Sequence, residues 1–154
     1  MVPKHFLTDK SPLQIGDAVA AIIVAEDGRY LLQLRDDIPH IFYPGFWGCF
    51  GGAVSCGEKP VAALTRELRE ELEFDPKDCP RFLDLEFDLH GISGKRHYRQ
   101  YYETTTTLTE ISSFVLREGA AMKLFTSTEI FALENLTPYD SFALWLHIAR
   151  DRLS

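Results

Sequence analysis

The chain has 154 residues, 45% of them hydrophobic and 25% charged, which suits a globular protein with one sizeable core and excludes collagen-like, low-complexity and disordered classes. Its 16 basic and 23 acidic side chains leave a net charge of −7, so nucleic acid is not an expected partner. The longest apolar run, Ala18 to Ala25, falls far short of the ~20 residues of a membrane span.

Taken in order, Met1-Val2-Pro3-Lys4-His5 lacks the apolar stretch of a secretory signal. Cys49, Cys56 and Cys79 are too few, and odd in number, for a disulfide framework. A reducing cytoplasm is the expected location. No repeat or linker interrupts the sequence, so residues 1–154 read as a single domain. Residues 17–25 form a buried strand bounded by Gly16 and the turn Glu26-Asp27-Gly28. Tyr30 to Arg35 completes a hairpin through that turn. Residues 36–47, with Pro39, Pro44 and Gly45 among aromatics, make an ordered loop into Trp47-Gly48-Cys49-Phe50.

A helix follows from Pro60 to Leu72. Leu83, Leu85, Phe87 and Leu89 then alternate with polar residues, the period of a half-buried strand. A turn at 90–95 and a β-branched, aromatic stretch at 97–108 make a second hairpin. Thr126 to Glu129 matches a capping box, and Thr137-Pro138 opens a C-terminal helix. Phe142, Trp145, Leu146 and Ala149 are the face expected to pack on the sheet. This order of elements predicts α/β layering on a mixed sheet.

The chemistry concentrates between Gly51 and Phe74. On the helix, Val61, Leu64, Leu68 and Leu72 share one apolar stripe, while Glu67, Glu70 and Glu71 share another face at i, i+3 and i+4. Like charges so spaced repel by a few tenths of a kcal/mol, a strain that water screens or a divalent cation relieves. Hard cations take carboxylate oxygens together with waters and substrate phosphates. The twin glycines Gly51-Gly52 permit close backbone approach, and Glu58 near the helix start can meet free amides or Arg66.

With Gly52, Glu58, Arg66, Glu67, Leu68, Glu70, Glu71 and Phe74 at their spacings, the stretch resembles the signature of the Nudix hydrolases, G-x5-E-x7-R-E-U-x-E-E-x-G-U, where U is a bulky aliphatic residue. Glu73 replaces the last glycine of that pattern, and Phe74 fills the final U as an aromatic. A glycine at position 73 would take the left-handed conformation that ends a helix. Glutamate there either adopts it at a cost of about 1 kcal/mol or ends the helix differently.

The resemblance implies an α/β/α sandwich around a mixed sheet. It also implies an enzyme that uses water and Mg²⁺, or alternatively Mn²⁺, to hydrolyse a nucleoside diphosphate linked to another moiety. Carried over by position, Glu67, Glu70 and Glu71 bind the metal, with the Gly51 carbonyl as a further ligand. Arg66 and Glu58 hold loop and helix in register. The general base is Glu67, Glu70 or a carboxylate elsewhere.

Outside the signature, Glu118 is the candidate extra ligand or base, or else an exposed turn residue. Arg35 and Gly52 are candidate substrate contacts, Arg35 for phosphate. Phe42, Tyr43, Phe46 and Trp47 offer rings to stack a base or to anchor the loop, and Phe46 is taken as the stacking candidate. His90 and His97, without a third ligand at recognisable spacing, read as hairpin residues. Cys49 and Cys56 read as packing or spectator thiols. The expected partner is a small nucleotide such as a nucleotide sugar, ADP-ribose or a dinucleotide, with neither nucleic acid nor membrane. A homodimer is an assembly common among the proteins resembled, though the residues mark no interface. Alternatives are a nucleoside triphosphate pyrophosphatase that clears damaged nucleotides and a non-hydrolysing nucleotide sensor. An isomerase of allylic diphosphates would need an acid–base pair that the residues do not reveal.

Overall fold

A computed structural model describes residues 10–153; the opening Met1–His5 segment lies outside the described residues. The elements in chain order are β1 (Ala18–Ala25), β2 (Tyr30–Leu34), β3 (Trp47–Gly48), β4 (Phe50–Ala53), α1 (Pro60–Leu72), β5 (Arg81–Asp88), α2 (His90–Ser93), β6 (Arg96–Thr106), α3 (Leu108–Ser113), β7 (Ala121–Phe125), α4 (Ser127–Ala132) and α5 (Pro138–Ala149). Among the described residues no helix is long and apolar enough to cross a membrane.

β1 is the centre of the sheet because it is apolar on both faces. It pairs in parallel with β6 along its whole length, Ala18 opposite Arg99 through Ala25 opposite Thr106. It pairs antiparallel with β2 and with β4. β3 and β7 add to β2, and β5 adds to β6, all antiparallel, so the sheet is mixed. Alternate residues of β1 feed two separate cores. Val19, Ala21 and Ile23 pack under α1 against Leu64, Leu68 and Leu72. Ala20 and Ile22 pack on the opposite side with Tyr101, Ile130, Ala143 and Leu144. The result is the expected α/β/α sandwich.

Local signals explain the element ends. Thr126 and Glu129 form both halves of the expected capping box. Thr107 and Glu110 form a second one, which stops β6 at Thr106 rather than residue 108 and opens α3. The 90–95 turn contains the short helix α2. Two face assignments change. On α5 the buried residues are Asp140, Ala143, Leu144 and His147, whereas Phe142 and Trp145 are about half exposed. Hydrophobicity alone misplaces this face, because a polar network satisfies Asp140 and His147 inside. On α1, Val61 is exposed while Leu64, Leu68 and Leu72 are fully buried.

Asp140 is the hub of that network. Its Oδ2 accepts from the Cys49 N–H at 2.9 Å and the Thr137 hydroxyl at 2.8 Å. Its Oδ1 accepts from the Tyr101 hydroxyl at 2.8 Å and Arg99 Nη2 at 3.0 Å. Removing one partner of a buried ion pair strands the other charge. Asp140→Ala is therefore expected to destabilise the fold by about 3–5 kcal/mol in urea denaturation, and adding Arg99→Met to that background should restore part of the loss.

Candidate active site

The twin glycines lie on β4, which runs beside β1 with Gly51 opposite Ala20 and Gly52 opposite Val19. α1 crosses this strand and delivers its carboxylates there. A Cβ on Gly52 would stand 2.5 Å from the carboxyl carbon of Glu67, so only glycine leaves this carboxylate its place. Gly51 donates its N–H to Glu71 Oε2 at 2.9 Å, and Gln33 Nε2 donates to Glu71 Oε1 at 3.2 Å. Glu71 is thus buried, so the face on which helical spacing gathers Glu67, Glu70 and Glu71 is not uniformly exposed.

Arg66 uses the whole guanidinium to tie this region together. Its Nε and Nη2 meet Glu58 at 2.9 and 3.0 Å, and Nη2 also meets the Ala53 carbonyl at 3.0 Å. Its Nη1 donates to Glu67 at 2.7 Å and to Glu70 at 3.2 Å. Glu58 in turn accepts from the Ser55 N–H at 3.0 Å. Loop, strand and helix are thereby joined through one side chain.

A cleft of about 790 Å³ opens over this floor. Glu67, Glu71 and Glu118 line it, as do Gly51, Gly52 and Arg35. Glu70, about half exposed, stands outside the lining and faces Arg66. Arg35 donates Nε to the Phe42 carbonyl at 2.7 Å, which fixes its guanidinium to the loop before β3. Phe46 does not fill the stacking role: it is buried, edge-on to Tyr43 at 5.4 Å, and away from the cleft, because the loop needs an apolar anchor there. Phe42 and Tyr43 line the cleft instead. Trp47 packs edge-on against Phe125 at 4.8 Å.

The electrostatics follow from crowding. Burial pushes Glu71 up to about 8, against the opposing bonds from Gly51 and Gln33, and the charges of Glu67 and Glu118 push the same way. Glu67 is also raised, first by burial and then by Glu70 and Glu118, while Arg66 opposes the shift. Glu58 is held down at about 2 by Arg66 and the Ser55 N–H. All donors in the cluster are carboxylate oxygens, the set a hard divalent cation takes. As they stand, no three His, Cys, Asp or Glu side chains among the described residues converge to hold an ion. Arg66 occupies the space between Glu67 and Glu70, and the oxygens of Glu71 face Gly51 and Gln33. The residues fit such a cation in kind, with Arg66 as the group it must displace.

The family model described as the NUDIX domain matches residues 14–146. The chain belongs to the Nudix family. Among curated relatives, the nucleoside triphosphatase NudI of Escherichia coli is 46% identical over 50 residues, 32% of this chain and 35% of that protein. An RNA pyrophosphohydrolase of Gluconacetobacter diazotrophicus is 36% identical over 72 residues, 45% of this chain and 43% of that protein. The match thus spans about a third of the length of the first of these relatives. The MutT protein of Methanosarcina mazei superposes with a TM-score of 0.71 over 94% of this chain and 99% of that one; at 19% identity it shows a shared fold.

This Nudix chain resolves its own departure from the signature. Glu73 does adopt the left-handed conformation, φ 54° and ψ 34°, and its N–H bonds the Arg69 carbonyl at 3.0 Å. Its carboxylate pairs with Arg117, whose N–H meets the Glu71 carbonyl at 2.8 Å. The helix end is thereby joined to the segment carrying Glu118. Two further features escaped the sequence reading. Gln33 lies on the α1 side of β2 beside Glu71, a position that strand alternation with Leu31 marks as inward. Arg99 lines the cleft with its guanidinium 4.6 Å from the Tyr139 ring, and an arginine in an alternating strand carries no comparable signal.

With divalent ions chelated, folded Glu71 keeps its proton between its ordinary 4.5 and about 8, where the unfolded chain has lost it. The native state binds more protons across that window, so the stabilisation is complete below it and is lost as pH rises through it. The melting temperature in chelator is expected to fall from about pH 5 to about pH 9, and Glu71→Gln should flatten the slope. An equal slope in the variant would contradict the buried, protonated carboxyl.

Proposed function

We propose that the chain hydrolyses a pyrophosphate bond in a nucleoside diphosphate linked to another moiety, with a divalent cation, Mg²⁺ or Mn²⁺, as cofactor. The observation that carries this reading is the gathering of Glu67, Glu71 and Glu118 on one cleft beside Arg35 in a Nudix chain. A phosphate anion cannot approach such a floor until positive charge lies between them. Glu67, Glu71 and Glu118 would hold the cation, joined by Glu70 once Arg66 gives up its contacts to Glu67 and Glu70 while keeping those to Glu58, and the Gly51 carbonyl is a further candidate ligand. When bound, the cation polarises a phosphoryl oxygen and lowers the pKa of its water.

The chain's own residues do the rest. Arg66 and Glu58 hold the box loop on α1, so the carboxylates keep their spacing. Arg35, which lines the same cleft, serves as a phosphate contact, and Gly52 leaves the floor open beside Glu67. A carboxylate of the cluster, Glu67, Glu70 or Glu118, accepts the proton from the attacking water. A second reading, a nucleoside triphosphate pyrophosphatase, is favoured by the 46% identical stretch shared with the nucleoside triphosphatase NudI.

A panel of nucleotide sugars, ADP-ribose, dinucleotides and nucleoside triphosphates, assayed for monophosphate and phosphate release, separates the two readings. Turnover should vanish in chelator and return with Mg²⁺. Glu67→Gln, Glu70→Gln and Glu71→Gln should each lower turnover by about 100-fold or more with the fold retained, since each removes charge from the cation site. Undiminished rates in all three would remove the box from the chemistry.

A further inference from the structure

Gln33 is a polar side chain in a strand otherwise built of Tyr30, Leu31, Leu32 and Leu34. It is only 5% exposed, so its amide must find partners inside the protein or in the cleft it lines. Its Nε2 donates twice, to Glu71 Oε1 at 3.2 Å and to the Glu118 backbone carbonyl at 3.0 Å. A backbone carbonyl only accepts, which fixes the nitrogen on that side and leaves Oε1 as the remaining group. One amide therefore joins the buried carboxylate of α1 to the segment that carries Glu118.

The approach of that segment is built for the contact. Gly119 has φ +89°, and a Cβ there would lie 2.7 Å from Gln33 Cγ and 2.9 Å from both Nε2 and the Leu34 carbonyl oxygen. Backbone bonds fix the segment on both sides: Arg117 N–H to the Glu71 carbonyl at 2.8 Å and Ala120 N–H to the Leu34 carbonyl at 2.8 Å. Packing alone would be served as well by an apolar residue, as at Leu31 on the same face.

We propose that Gln33 is a positioning residue of the acidic site: its amide sets Glu71 relative to the segment of Glu118 and so holds the carboxylates in the arrangement a divalent cation needs. This inference rests on the reading of those carboxylates as cation holders. Nothing in the Nudix signature places a residue at position 33, which lies 19 residues before its first glycine at position 52.

The test is Mn²⁺ binding to the full chain without nucleotide, followed by the paramagnetic resonance signal of the free ion, together with thermal melting in chelator. Gln33→Met keeps the length and bulk of the side chain and removes its amide. It should weaken Mn²⁺ binding about 10-fold or more, as loss of a group that orients a metal ligand does, while melting in chelator stays cooperative. Gln33→Asn, which shortens the side chain by one methylene and withdraws the amide from both partners, should weaken binding in the same direction and decides the matter if Gln33→Met does not fold. Wild-type affinity in either folded variant overturns the role of Gln33 and leaves the proposed hydrolase standing. Absence of Mn²⁺ binding by the unsubstituted chain overturns both.

Discussion

α1 carries Glu67 and Glu71 into a region from which water is partly excluded, where burial and the charges of Glu67 and Glu118 keep the proton on Glu71, and burial with Glu70 and Glu118 raises Glu67. They stay there because a small set of donors outweighs the repulsion. Arg66 serves Glu58, Glu67 and Glu70 at once, and the Gly51 amide and Gln33 hold the two oxygens of Glu71. These donors act only if β4 lies against α1, which in turn needs Leu64, Leu68 and Leu72 locked into the core under the sheet. The hydrophobic face of α1 and its charged face are therefore two aspects of one constraint. Docking the apolar side forces the acids together, and the docking energy sustains the crowding.

The same constraint gives the cleft its polarity. Glu67 and Glu71 reach it from α1, Asp17, Asp36 and Glu118 from other segments, and Arg35 and Arg99 bring positive charge to the same cleft. Arg99 arrives already neutralised by Asp140, whereas Arg35 is tied to a neutral carbonyl. Two guanidiniums of different character thus share one cavity with the carboxylates. The chain's net negative charge does not describe the field inside it.

What could be read from the sequence was whatever a fixed spacing determines. The limits of α1, the central strand and both hairpins followed from periodicity and turn residues; helical spacing put Glu67, Glu70 and Glu71 on one face, whereas Glu71 is buried against Gly51 and Gln33 and Glu70 stands outside the cleft lining. Glu73 was legible as a choice between strain and a different ending, and the structure takes the strained one with Arg117 as partner. The inward face of α5 was not legible, because Asp140 and His147 are buried by partners contributed from distant strands, Arg99 and Tyr101 for one and Glu103 for the other. Phe46 was misassigned since an aromatic in a loop carries no mark of which way it turns. Gln33 was overlooked although alternation placed it inward, as a polar residue at such a position draws notice only once its neighbour is known to be Glu71.

The eight residues of β1 form a party wall between two compartments. Neither compartment can loosen without exposing the other, so breathing on the side of α5 is felt by the acids on the side of α1. Slow exchange of the β1 amides with solvent deuterium would be the signature of that shared wall. Unfolding of this small protein should then have no halfway house in which the charged cleft has come apart and the opposite helices remain in place.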